Sequence, residues 1–177
     1  MKNLTLLLLL LPALLLHSCK KSSNPPSIVG TWKIAGISGT QTSQSSPTAT
    51  LINRTYIYTS PVLTVTDTVT TLVTVNNETW AFNSDGTFSI AENYTIGTSV
   101  IAVVHNLSGW WDYTSSTLPN SDLLLRSTGT PSLVPIGGTF FIKSVTSTQL
   151  VLTVIETNTS STGSTLDNNF TLTFSRQ

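Results

Sequence analysis

Period-two alternation, sustained over most of the chain, is the feature that most restricts its fold. Residues 62–75 show it best. Val62, Thr64, Thr66, Thr68, Thr70, Leu72 and Thr74 share one side; Leu63, Val65, Asp67, Val69, Thr71, Val73 and Val75 share the other. One face is largely threonine and the other largely aliphatic, as in a strand with a wet and a dry side. Asp67 breaks the aliphatic side, and the run outlasts an ordinary strand, so it is expected to bend or form a hairpin. No helical period occurs after residue 27. Thr and Ser make up roughly a third of the chain, well above ordinary usage, and the branched Cβ of Thr suits a pleated sheet.

Other strands are predicted at Ile28–Ile37, Leu51–Tyr58, Gly86–Ile96, Leu107–Tyr113, Leu123–Arg126, Phe140–Val145, Gln149–Glu156 and Phe170–Phe174. Trp80 and Phe82 alternate into Asn83-Ser84-Asp85-Gly86, and Phe88 and Ile90 alternate on the return, a hairpin built on Asp-Gly. Ser147-Thr148 turns another pair. Polar segments 38–50, 127–138 and 157–168 read as loops. Antiparallel strands in sequence order must dispose of their edges, and closure does so. The expected fold is therefore all-β, an up-and-down barrel of about eight to ten strands, with a β-sandwich as the alternative. Alternation puts Trp80, Phe82, Phe88, Ile90, Trp111, Phe140, Ile142, Leu150, Leu152, Phe170, Leu172 and Phe174 inside.

The N-terminus has a separate logic. Lys2 precedes an apolar run from Leu4 to Leu16, too short for a comfortable membrane span and laid out like a signal peptide. Leu16-His17-Ser18-Cys19 resembles a bacterial lipobox. On that reading residues 1–18 are removed, and Cys19 carries a diacylglycerol on sulfur and an acyl chain such as palmitate on its new amino group. Residues 19–27 become a flexible tether, and residues 28–177 form one domain. Cys19 is the single cysteine, so no disulfide competes for it. Lys20, not aspartate, follows it, which points to the outer membrane.

Once Lys2 is lost, seven basic side chains face eight acidic ones, leaving no electrostatic footprint for nucleic acid. His105 is the only histidine after cleavage, so a zinc site of the usual kind has too few ligands. No Gly-x-Ser-x-Gly elbow accompanies it, and the acids stand singly along the chain. No cofactor, metal or catalytic role is expected. Asp85 belongs to its turn. Trp110, Trp111 and Tyr113 form an aromatic cluster: Trp111 and Tyr113 share one face, and Trp110 and Asp112 the other. It reads either as barrel filling or as a stacking platform for a sugar or apolar ligand.

Three segments together resemble the lipocalin-like domain of short bacterial lipoproteins. Ile28-Val29-Gly30-Thr31-Trp32-Lys33-Ile34 resembles its opening strand, Trp80 to Phe88 its central hairpin, and Phe140 to Val145 with Gln149 to Leu152 its late hairpin. Residues 38–77 depart from the pattern as a long insertion. The resemblance implies that Trp32 and Arg176 pack together to close one end. It also implies a lumen for a small hydrophobic ligand; the aromatic-rich strand and the long polar insertion near the opening strand assign the contacts to Trp111 and Tyr113, with 38–61 as a lid. The alternative role is an interaction or structural lipoprotein that meets a protein or glycan through its loops.

Overall fold

The computed structural model describes residues 27–98, 102–114, 118, 121–127 and 139–177. The proposed signal peptide, Cys19, nearly all of the tether and nearly all of the 127–138 loop lie outside these residues. Ten strands follow in chain order: β1 (Gly30–Gln44), β2 (Ile52–Thr59), β3 (Val62–Thr66), β4 (Thr70–Phe82), β5 (Thr87–Ile96), β6 (Val103–Tyr113), β7 (Asp122–Ser127), β8 (Thr139–Val145), β9 (Gln149–Thr159) and β10 (Thr165–Arg176). Each pairs antiparallel with its sequence neighbour, and β1 pairs with β10, which closes the ring. No helix occurs among the described residues.

The first part of β1 lies beside β4, with Gly30 opposite Phe82 and Trp32 opposite Trp80. From Ser38 onward β1 lies beside β2. The β2–β3 hairpin is thus a wedge between β1 and β4 at one end, and the Trp32 end is circled by eight strands. An eight-stranded ring is just wide enough for side chains to fill. Here they do. Trp80 meets Phe140 edge-on at 5.5 Å between centroids and Phe174 at 5.0 Å. Of the twelve residues expected inside, all but the half-buried Trp111 are at most 2% exposed. A ligand-sized void would leave accessible surface on its walls, and these walls have almost none. The apolar face points inward and threonine outward, the reverse of barrels that face lipid.

Turn chemistry explains the hairpins. Asp67 sits in the turn between β3 and β4, where its Oδ1 accepts from the Val69 N–H at 2.9 Å. The 62–75 run is therefore a hairpin, and its interrupting acid is the turn. Asp85 Oδ1 accepts from the Thr87 N–H and hydroxyl at 2.9 and 2.7 Å, and Gly86 takes φ 83°, a conformation that favours glycine.

Two expected loops are mostly strand. Residues 38–44 continue β1, with 38–43 paired on both sides. Likewise β9 runs to Thr159 and β10 starts at Thr165, leaving a short turn. The inward positions here are Gln41 and Asn168, 4% and 2% exposed, with the half-buried Glu156. With polar residues on both faces, the alternation that marks a strand disappears.

Candidate functional site

Among the described residues, the buried polar side chains other than Ser121 fall into two groups. The first is a row across three strands. Glu78 on β4 stands opposite Glu92 on β5, and Glu92 opposite His105 on β6. All three point inward by the parity of their strands. Both glutamates are 2% exposed. His105 Nδ1 lies 3.1 Å from Glu92 Oε2, and about a third of its side chain is exposed, so it forms the solvent end of the row. Glu78 Oε1 accepts from Trp80 Nε1 at 3.1 Å. Its Oε2 is buried without a hydrogen-bond partner among the described residues. Burial first, and the neighbouring Glu92 charge second, push the Glu78 carboxyl up to about 8. It therefore holds its proton at neutral pH, because a carboxylate without water or a cation is costly. Described residues contain no metal-binding group of three or more such ligands.

The second group is a hydrogen-bonded ladder at the β2–β3 end. Arg54 Nη1 donates to Gln41 Oε1 at 3.2 Å, Gln41 Nε2 to Asn168 Oδ1 at 3.1 Å, and Asn168 Nδ2 to Glu156 Oε2 at 3.4 Å. The four residues are register partners on β2, β1, β10 and β9. Tyr56 adds its hydroxyl to Gln41 Oε1 at 3.4 Å, and burial raises its pKa. Arg54 also pairs with Asp67 at 3.3 Å. The Val69 N–H first, and Arg54 after it, hold the Asp67 carboxyl below its usual range.

At the opposite end, Arg176 Cζ lies 4.6 Å from the Trp32 ring centroid, and the two are register partners. Arg176 Nη2 donates to the Ser27 and Val29 carbonyls, each at 2.9 Å, and Trp32 Nε1 donates to the Ile28 carbonyl at 2.6 Å. The plug therefore also fastens the segment entering β1.

Trp111 and Tyr113 lie at this same end. Their centroids are 5.0 Å apart, and Trp111 meets Phe82 edge-on at 6.0 Å. Trp111 Nε1 donates to the Asn83 carbonyl at 3.2 Å. Burial raises the Tyr113 hydroxyl to about 12, against the opposing effect of a hydrogen bond with the Ile28 backbone. The expected lid is elsewhere. The segment starts at Ser38, six positions along β1 from Trp32 and about 20 Å away at strand rise, is locked there between β10 and β2, and runs away from that end to Ser43, which pairs with Ile52 about 36 Å from Trp32. The 38–61 segment therefore cannot close over Trp111 and Tyr113.

The Glu78–Glu92–His105 row was missed by reading acids along the chain, although the signal was present. The Asn83–Gly86 turn sets Phe82 opposite Phe88. Stepping outward by twos brings Trp80 to Ile90 and Glu78 to Glu92, on the aromatic face. No family model matches this chain, and neither a curated protein nor a solved structure matches it.

Proposed function

We propose that the protein is a lipid-tethered envelope module, fixed to a bacterial membrane, in the outer-membrane position, through Cys19, that recognises its partner with its outer surface. The observation that carries this reading is the filled eight-stranded end, where Trp32, Trp80, Phe82, Phe140 and Phe174 are at most 1% exposed. The closed meander and the Trp32–Arg176 contact support a lipocalin-like ancestry for the barrel. The reading assigns no catalysis, because the glutamate pair is too buried for a substrate to reach. A small hydrophobic ligand retains one foothold, the half-buried Trp111–Tyr113 pair beside Ile28.

Native mass spectrometry of the full chain, extracted from its membrane, separates the two readings. The expected spectrum is the lipidated chain alone. A small molecule co-purifying in stoichiometric amount would overturn the outer-surface reading in favour of a carrier. Cys19→Ala is expected to abolish partitioning into detergent, and unchanged partitioning would remove the anchor.

A further inference from the structure

Trp110 is the one tryptophan the fold turns outward. It is 62% exposed, three residues before the end of β6, with Thr87 of β5 opposite on one side and Arg126 of β7 on the other. Two positions back along the same face lies Ser108, opposite Ser89, roughly 7 Å from Trp110 at strand rise. A groove of about 410 Å³ runs between these residues, with Asn83 at its head. That volume falls within the range of small-molecule sites. Gly109 lends only backbone to the floor: by strand parity its Cβ would point inward, within 2.9 Å of the buried Phe88 ring and 2.0 Å of the Arg126 carbonyl oxygen, so the glycine lets β6 lie close over Phe88.

We infer that this outer face is a carbohydrate-binding site, in which the Trp110 indole stacks on the apolar face of a neutral pyranose and the Ser89, Ser108 and Thr87 hydroxyls meet its ring substituents. This rests on the outer-surface reading and names its ligand class. The chemistry favours a sugar over a protein. A protein hot spot is ringed by apolar neighbours that exclude water, whereas the immediate same-face neighbours of Trp110 are the Thr87 and Ser108 hydroxyls and the charged Arg126 and Asp112. The groove lining carries no charged side chain, and the two charges beside Trp110, Arg126 and Asp112, are of opposite sign, which favours a neutral ligand. A pyranose needs one flat apolar surface and exchangeable hydrogen bonds at its edge, and the patch supplies both. Asn83 Nδ2 donates to Thr87 Oγ1 at 2.9 Å and Thr87 Oγ1 donates to Asp85 Oδ1 at 2.7 Å, which fixes that hydroxyl next to the indole and leaves it to accept from the sugar.

The test titrates the full-length chain, held in a sugar-free amine-oxide detergent, with chitohexaose, cellohexaose and maltohexaose. Isothermal titration and tryptophan emission are read together. At least one hexasaccharide is expected to bind saturably and to perturb the exposed tryptophan. Trp110→Ala, whose side chain lies outside the core, should keep the wild-type melting temperature and weaken binding about tenfold. The Ser89→Ala/Ser108→Ala double variant should weaken it while leaving the stacking signal. Failure of all three sugars, or equal binding by wild type and Trp110→Ala, overturns the proposal. Trp110-dependent self-association without sugar binding also overturns it, in favour of a protein interface. None of these outcomes alters the mass-spectrometric result for the lumen, so the two readings fail separately.

Discussion

Glu78 gives the sharpest physical test of the interior. Its carboxyl is raised from 4.5 to about 8 by burial and by Glu92, so between those values the folded chain holds a proton that the unfolded chain has lost. Stability therefore falls as pH rises through this window and levels off above it. At 1.36 kcal/mol per pH unit the loss amounts to at most roughly 5 kcal/mol, a large share of the 5–15 kcal/mol typical of a domain. Glu78→Gln removes the titration and keeps an amide oxygen to accept from Trp80 Nε1. Urea unfolding followed by tryptophan emission at pH 5, 7 and 9 compares the two. The wild type should weaken from pH 5 to pH 9, and the variant should lose less and become the more stable protein at pH 9. Glu92→Gln should show an intermediate slope, because it removes the repulsion but not the burial. Superimposable wild-type and Glu78→Gln profiles would show that the carboxyl is not held protonated by its surroundings.

Trp32→Ala should cost about 3–5 kcal/mol as the loss of a buried large aromatic. Arg176→Ala should cost less, and denaturation of the double variant should show losses that do not add, because the groups touch. Gln41→Leu should cost about 2 kcal/mol by chemical denaturation, since it removes three hydrogen bonds, one each with Arg54, Asn168 and the Tyr56 hydroxyl. Gly39→Ala should lower the melting temperature markedly, because its Cβ would lie 2.3 Å from the Asn169 carbonyl oxygen, a backbone atom with little room to yield.

How far the sequence can be read depends on where the polar residues face. Strands with dry inner positions, such as Phe88–Ile90 and Leu150–Leu152, announce themselves by alternation, and their inner faces follow. The ends of β1, β9 and β10 do not, because Gln41, Asn168 and Glu156 occupy inner positions and the contrast between faces vanishes. The acid row is a third case. Each acid looked solitary because the sequence places Glu78, Glu92 and His105 at intervals of fourteen and thirteen residues, and only hairpin register brings them abreast. The outward placement of Trp110, by contrast, follows from parity alone. What the sequence could not supply was the position of 38–61 relative to Trp111, since that depends on the continuous length of β1.

The bulges decide which of these residues face inward. On β4 the inward positions change from Val73 and Val75 to Glu78, Trp80 and Phe82, with the register shifting between Val75 and Asn77. Under strict alternation from Val75, Trp80 and Phe82 would face solvent and the plug would lose two rings. Two single-residue deletions separate parity from length. Deleting Asn76 removes the extra residue, so Val75 and Glu78 stay on one face and Asn77 keeps Asn93 opposite. It sacrifices the Asn76 Nδ2 to Asn93 Oδ1 bond at 3.0 Å and the bend of the bulge. Deleting Ala81 shortens the strand equally but turns one ring outward either way, Phe82 if the bulge is kept and Trp80 if it is lost, because a one-residue slip moves every following side chain to the other face. Thermal unfolding followed by circular dichroism is expected to show a cooperative transition for the Asn76 deletion and none for the Ala81 deletion. Equal damage from both would mean that strand length, not the facing of Trp80 and Phe82, limits the fold.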